Sequence, residues 1–186
     1  MHPDMHNKKI STLMDPDAIA EAISRVADEI IEGGGDAEKL VLVGIRSRGV
    51  PLARRLSTLI GSRTGIDIPV GIVDITLYRD DLTDIGSQPL VRETQLPFPI
   101  DGQRIVLVDD VLFTGRTVRA ALDQLIDFGR PERIELMVLV DRGGRELPIR
   151  ADYVGKEVST SKRQMVDVLL EEEDGRDEVV LTEEGG

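Results

Sequence analysis

The chain of 186 residues contains no cysteine and no tryptophan, and aromatic residues make up only 3% of it. The absence of cysteine excludes disulfides and thiolate metal sites, and it fits a reducing cytoplasm. No run of about 18 apolar residues is present, so we expect no membrane span. Hydrophobic residues account for 40% of the chain. They can form a real core, which must be built from Val, Ile, Leu and Ala because aromatics are scarce.

Negative charge is abundant and unevenly distributed. The formal net charge is -12, and residues 171–186 hold eight acidic residues against one Arg. We expect this segment to form a solvated acidic hairpin. Contacts with phosphate supply most of the non-specific affinity of proteins for nucleic acids. A chain with this much negative charge is therefore not a general nucleic-acid binder. Any RNA-binding role requires a local basic patch.

Apolar strands alternate with amphipathic helices along the chain. The pattern predicts helices over 16–32, 50–62 and 115–128, strands over 40–43, 70–75, 105–108 and 134–140, and a C-terminal hairpin from 166–171 and 178–182. Residues 1–10 are predicted to be a loose arm of a single domain that spans 1–186. Continuous apolar strands separated by helices indicate the α/β class, with a mostly parallel sheet flanked by helices.

Polar segments follow the ends of four predicted strands. In a parallel sheet, ligands bind beyond the carboxyl ends of the strands. Residues 44–49, 109–117 and 141–150 follow three of them, and the polar stretch 76–92 follows a fourth. Loops of that length in compact domains are usually functional or disordered, and we expect a flexible loop or an extended hairpin. The convergence of the four segments predicts a binding cleft.

The segment 105–117, IVLVDDVLFTGRT, carries the strongest chemical signal. The carboxylates of Asp109 and Asp110 can accept hydrogen bonds from sugar hydroxyls or hold a hydrated Mg²⁺. Gly115 lets the backbone approach a ligand closely, and the N–H groups at a helix start favour phosphate. The element therefore suits a sugar phosphate. In the alternative interpretation, Asp110 or Thr114 only caps the helix.

This segment resembles the phosphoribosyl pyrophosphate (PRPP) signature of the type I phosphoribosyltransferases. Together with VGIRSRGVPLARRL (43–56), VDITLYRDDL (73–82) and VDRGGRELPIRADYVGKEVSTS (140–161), it resembles more closely the branch of bifunctional pyrimidine operon attenuators and uracil phosphoribosyltransferases. The resemblance implies the type I phosphoribosyltransferase fold. It also implies transfer of the phosphoribosyl group from PRPP to uracil, giving UMP and pyrophosphate, with Mg²⁺ bound mainly through PRPP rather than by a metal site of the protein.

The resemblance also assigns roles to individual residues. Catalytic roles fall to Asp109 and Asp110, at the ribose hydroxyls, and to Arg79, in the flexible loop that closes over pyrophosphate. Substrate-binding roles fall to Arg46, Ser47, Arg48 and Gly49 at pyrophosphate, to Thr114, Gly115, Arg116 and Thr117 around the 5′-phosphate, to Asp141 and Arg142 beside uracil, and also to Val111.

A regulatory role follows from the same resemblance. It implies that UMP or UTP promotes binding to the leader RNA of a pyrimidine operon, through a basic face at the surface of a homodimer or hexamer. The segment 142–163 carries a net charge of +3. The candidate RNA contacts are Arg25, Arg145, Arg150, Lys156, Lys162 and Arg163. Two departures, Gly144 where the branch has His and Asp28 where it has His or a basic residue, remove polar or basic groups from this side.

Two other functions stay open at this point. One is a salvage uracil phosphoribosyltransferase without RNA binding. The other is a regulator that binds nucleotides but has little turnover.

Overall fold

The structure is a computed structural model that describes residues 7–76 and 94–185. The strands are β1 (Lys8–Met14), β2 (Leu40–Ile45), β3 (Val70–Val73), β4 (Arg104–Leu112), β5 (Arg133–Asp141), β6 (Tyr153–Glu157), β7 (Gln164–Leu169) and β8 (Glu178–Glu183). The helices are α1 (Pro16–Glu32), α2 (Gly49–Thr64), α3 (Arg116–Phe128) and α4 (Glu171–Asp174), with a short 3-10 turn at Ala37–Lys39. Within the described ranges, every helix is too short or too polar to cross a bilayer.

Five parallel strands form the central sheet, in the order β3-β2-β4-β5-β6. Every residue of β2 is buried, as expected for a strand covered on both faces. Because side chains alternate along a strand, Leu42 and Val106 join the core shared with α1 and α2, while Val43 and Leu107 join the opposite core with α3. The predicted parallel sheet between helices is confirmed.

The first helix matches its predicted range of 16–32. Asp15 caps it, because its carboxylate accepts a hydrogen bond from the N–H of Ala18 at 2.8 Å. Pro16 occupies the first turn, where no N–H is needed. Local sequence therefore suffices to begin this helix.

The strand bounds differ from the predictions in the centre of the molecule. β4 continues to Leu112, so Asp109 and Asp110 lie within the strand rather than after it. The extension is stabilised by pairing with β5, in which Val111 faces Val140. β6 was not predicted, because it is a sheet-edge strand with exposed Lys156 and no clear apolar alternation.

A second sheet of three antiparallel strands stands apart, in the order β1-β8-β7. The predicted pairing of the two C-terminal strands is confirmed. The prediction of a loose arm over 1–10 is wrong for residues 8–10, which lie in β1, where Lys8 pairs with Glu183. Because β1 is mostly exposed, its own sequence gives little sign of a strand, and β8 supplies the missing partner.

The acidic C-terminal segment is not simply solvated, which corrects the expectation for residues 171–186. The guanidinium of Arg55, on α2, binds the carboxylate of Glu172 at 2.6 Å and that of Asp177 at 2.8 Å. These hydrogen bonds hold the pKa of both carboxyl groups below its usual value. The acidic segment therefore ties the connection between β7 and β8 to α2.

Candidate active site

A cavity of about 240 Å³ lies at the carboxyl ends of β2, β3 and β4. It is lined by Ile45, Arg46, Ser47, Arg48, Ile75, Thr76, Asp109, Asp110, Val111 and Thr117. Parallel strands bring these segments to one edge of the sheet, which is where ligands bind in such folds. The structure thus joins three of the four segments that the sequence singled out.

The adjacent aspartates present their carboxylates to this cavity from a rigid backbone. Asp109 is only 6% exposed, and its Oδ1 accepts a hydrogen bond from the N–H of Asp110 at 2.9 Å. In turn, Asp110 Oδ1 accepts from the N–H of Val111 at 2.8 Å. The Asp110 carboxylate keeps acceptor capacity for further donors, because an ionised carboxylate has about four lone-pair sites.

The turn that the sequence predicted to bind phosphate lies at the start of α3. Gly115 precedes the helix with φ +92°, a conformation that favours glycine. The N–H of Arg116 donates to Thr114 Oγ1 at 3.2 Å, and the carbonyl of Thr114 accepts from the N–H groups of Glu146 and Leu147. Arg116 also pairs with Glu146 at 2.7 Å. The helix start is therefore braced by the loop after β5, with its positive dipole end available to an anion.

The predicted pyrophosphate loop lies between β2 and α2. A side chain at Gly49 would collide with the backbone of Val108, so glycine allows α2 to begin directly against β4. Arg46 lies beside Asp74, whose side chain is largely buried, with 3.7 Å between Nε and the carboxylate. Arg46 Nε is buried and makes no hydrogen bond with any described residue. Buried donors normally have a partner, and here the Asp74 carboxylate supplies the nearby negative charge. An incoming anion can contact only the exposed part of the Arg46 side chain, which lines the cavity.

Sequence reasoning missed two carboxylates that act on the arginines of this loop. Asp74 faces Arg46, and it accepts hydrogen bonds from both the N–H and the hydroxyl of Thr76. Asp174, from α4, binds Arg48. Asp74 stands at the end of a predicted strand, and that position was a usable signal. Asp174 gave none, because it lies 126 residues from Arg48 in the sequence.

The two residues expected beside uracil differ in their surroundings. Asp141 accepts from the N–H of Gly143 at 3.0 Å and from the guanidinium of Arg145. Arg142 is only 7% exposed. Its guanidinium stacks 3.8 Å above the ring of Phe113 and donates to Thr160 Oγ1 and to the carbonyl of Gln164. Burial lowers the pKa of Arg142. Neither residue lines the cavity described above, and Arg142 fixes the segment after β6.

The candidate RNA contacts fall into two groups. Arg145 is bound within the molecule: it donates to Asp141 and to the carbonyls of Ile149 and Phe113. Arg25 is exposed, but it also has partners within the molecule, since it pairs with Glu29 and donates to the carbonyl of Gly155. In the second group the residues are exposed: Arg150, Lys156, Lys162 and Arg163.

The two departures from the branch pattern have structural partners. Asp28 binds Arg63 at 2.9 Å, on a face of α1 that also carries Glu21, Glu29 and Glu32. Gly144 has φ +77°, and a Cβ there would approach Phe113 Cε2 to 2.5 Å. The absence of a side chain at position 144 therefore leaves room for the Phe113 ring. Arg79 and the rest of the predicted catalytic loop, from 77 onward, lie outside the described residues.

Comparisons with known proteins identify the class that this fold and site define. The family of the phosphoribosyl transferase domain matches residues 9–173. Among solved structures, hypoxanthine phosphoribosyltransferase of Trypanosoma cruzi superposes with a TM-score of 0.70 at 19% identity, covering 95% of this chain and 98% of that one. At that identity the likeness shows the fold alone, and it is the type I phosphoribosyltransferase fold that the sequence predicted.

Relatives of higher sequence identity define the branch of this family to which the chain belongs. The "Bifunctional protein PyrR" of Deinococcus radiodurans is 56% identical over 171 residues, which cover 92% of this chain and 93% of the relative. That of Thermus aquaticus is 59% identical over 174 residues, covering 94% and 96%. The chain therefore belongs to the phosphoribosyl transferase family, in its branch of bifunctional PyrR proteins.

Proposed function

We propose that the protein transfers the phosphoribosyl group of PRPP to uracil, giving UMP and pyrophosphate. The observation that carries this proposal is the cavity in which Asp109 and Asp110 lie between the start of α3 and the arginine-bearing loop 46–49. Each part suits one part of PRPP. The anion-binding helix start suits the 5′-phosphate, the carboxylates suit the ribose, and the arginines suit the diphosphate.

In this reaction the bond from ribose C1′ to pyrophosphate breaks, and pyrophosphate leaves with the electron pair. Uracil N1 forms the new bond to C1′ and loses its proton to solvent. The carboxylates of Asp109 and Asp110 accept hydrogen bonds from the ribose hydroxyls and stabilise positive charge that develops on the ring, while the exposed part of the Arg46 guanidinium donates to the departing oxygens. Mg²⁺, which prefers oxygen ligands and keeps several waters, would bind chiefly through PRPP, with these aspartates as the protein contacts.

Other parts of the proposal rest on family resemblance. Arg79 would reach pyrophosphate when the 76–92 loop closes and excludes water. Asp141, at the end of β5, would border the uracil site. We further propose that the protein acts in the cytoplasm as a homodimer or hexamer.

We also propose a regulatory activity, in which UMP or UTP promotes binding to the leader RNA of a pyrimidine operon. The exposed Arg150, Lys156, Lys162 and Arg163, in the segment with a net positive charge, would supply phosphate contacts. A specific observation favours the simpler alternative of a salvage enzyme without RNA binding. Arg145 is bound within the molecule, and the surface around Arg25 is acidic.

A turnover assay with uracil, PRPP and Mg²⁺ tests the enzymatic proposal. Formation of UMP at a higher kcat/KM than for orotate or hypoxanthine would support it. A clear preference for either other base would refute the proposed substrate. Binding without turnover would instead indicate a nucleotide-binding regulator.

A titration with leader RNA, with and without UMP, across a salt series tests the regulatory proposal. A variant that no longer binds one of the RNA phosphates should show a salt slope smaller by about 1. Arg150→Ala and Lys156→Ala should therefore flatten the slope, whereas Arg54→Ala, at an exposed position on α2, should not. Absence of binding in protein that makes UMP would favour the salvage enzyme.

A further inference from the structure

Arg48 is joined to a distant part of the chain at the edge of the cavity. Its Nε donates to Asp174 Oδ2 at 3.2 Å and its Nη2 donates to Asp174 Oδ1 at 2.7 Å. This is the two-pronged geometry that makes guanidinium–carboxylate pairs strong and directional. Asp174 lies in α4, on the connection between β7 and β8. One carboxylate of the second sheet thus reaches the loop that the proposed function assigns to the diphosphate.

Asp174 is itself held in place. Its Oδ2 also accepts a hydrogen bond from the N–H of Leu170 at 2.8 Å, and its side chain is 18% exposed. The hydrogen bonds from Arg48 and Leu170 keep the pKa of Asp174 below its usual value. The carboxylate is therefore a charged, fixed anchor rather than a mobile surface group.

The other end of Arg48 is also fixed. The next residue, Gly49, packs against the backbone of β4, so the chain cannot shift there without a collision. The third guanidinium nitrogen, Nη1, has no hydrogen-bond partner among the described residues, and Arg48 lines the cavity together with Asp110. A side chain held at both ends loses little conformational freedom when it binds a ligand.

We propose that Asp174 is a positioning residue, which sets the affinity of the site for the diphosphate group of PRPP by holding Arg48 in a binding-competent orientation. The inference rests on the proposed function in that it takes the loop 46–49 as the diphosphate site. The inference assigns a role in substrate binding to a residue on the connection between β7 and β8, which touches neither the substrate nor the reacting atoms.

The sign of the effect separates positioning from simple electrostatics. Removing a negative charge beside a diphosphate site should strengthen anion binding if only charge matters. Loss of positioning should weaken it. For Asp174→Asn we expect the KM for PRPP to rise about tenfold, with kcat changed less than twofold and the KM for uracil unchanged. An unchanged or lowered KM for PRPP would overturn the inference.

The chain offers a matched control in Asp177. Asp177 lies on the same connection, and its carboxylate binds Arg55 through two hydrogen bonds of 2.8 Å. Arg55 lies on α2, which begins directly after Arg48, but it does not line the cavity. Asp177→Asn should leave both KM values unchanged. A rise in the KM for PRPP equal to that of Asp174→Asn would show a general loosening of the second sheet, and would overturn a specific role for Asp174.

Calorimetric titration with Mg²⁺-pyrophosphate separates this inference from the proposed function. Weaker binding by Asp174→Asn supports the inference even if uracil proves to be the wrong base. Equal binding by wild type and variant, in protein that makes UMP, overturns the inference alone. A wild type that neither makes UMP nor binds pyrophosphate overturns both. If Asp174→Asn does not fold, Arg48→Lys serves instead, because lysine keeps the positive charge but cannot donate two parallel hydrogen bonds to the carboxylate. Undiminished affinity there would likewise overturn the inference.

Discussion

The cavity and the segment 142–163 are both rich in charged side chains, but they use them differently. In the cavity, Arg46 Nε is buried with no hydrogen-bond partner among the described residues, and Asp109 and Asp110 line the open space. In the segment, the guanidinium groups of Arg142 and Arg145 bind carbonyls and side chains of their own chain. The same types of charged side chain thus line an open cavity in one region and hold the fold together in the other.

The largest effect should follow from altering the cavity side of this comparison. We expect Asp109→Asn and Asp110→Asn each to lower kcat for UMP formation by on the order of 10²-fold or more, because a neutral amide stabilises positive charge on the ribose poorly. Asp123→Asn, on the exposed face of α3, is the control and should keep normal rates. Unchanged turnover in both cavity variants would disprove the assigned roles.

On the other side of the comparison, Arg142 should act on stability. We expect Arg142→Ala to lower the free energy of unfolding by about 2–3 kcal/mol, because the carbonyl of Gln164 and the Thr160 hydroxyl lose a charged donor. Urea denaturation measures the decrease, with the exposed Arg163→Ala expected to stay within about 0.5 kcal/mol of wild type. A stable Arg142→Ala with a raised KM for uracil would instead return Arg142 to the uracil site.

Gly144 lies in the segment 142–163, and its contact with the Phe113 ring can be tested by substitution. An alanine there must adopt φ +77° and also displace the Phe113 ring. Gly143 is a matched control, because its φ is +70° but nothing lies within 4 Å of an added Cβ. We expect Gly143→Ala to cost about 1 kcal/mol for the left-handed backbone, and Gly144→Ala to cost about 1 kcal/mol more. Equal unfolding midpoints in urea would show that the ring moves aside freely.

The smallest effect should depend on pH. Because the pKa values of Glu172 and Asp177 are lowered in the folded state by Arg55, their contribution is complete above the unfolded values near 4 and is lost as pH falls below them. These groups are partly exposed, so we expect Asp177→Asn to destabilise by about 1 kcal/mol or less at pH 7. The difference from wild type should disappear near pH 2. A difference that persists there would indicate a packing defect rather than the missing charge.

The sequence by itself determined the features that depend on near neighbours. The uninterrupted apolar residues of β2, the cap and periodicity of α1, and the segment from Asp109 to Thr117 could all be recognised, because propensity, capping and a helix start act within a few residues. The family resemblance added the order of the binding segments around the cleft. These features were enough to predict the parallel sheet and the cavity at its carboxyl edge.

The tertiary structure alone decided which charges meet. β1 exists because β8 lies beside it, and the extension of β4 through Asp109 and Asp110 depends on its pairing with β5. The contact of Asp174 with Arg48 spans 126 residues, and no local pattern indicates it. Such a contact requires that two side chains far apart in the sequence be brought within hydrogen-bond distance by the fold. Many sequences could place an aspartate and an arginine at those positions, but only the packing of the second sheet on α2 brings these two together.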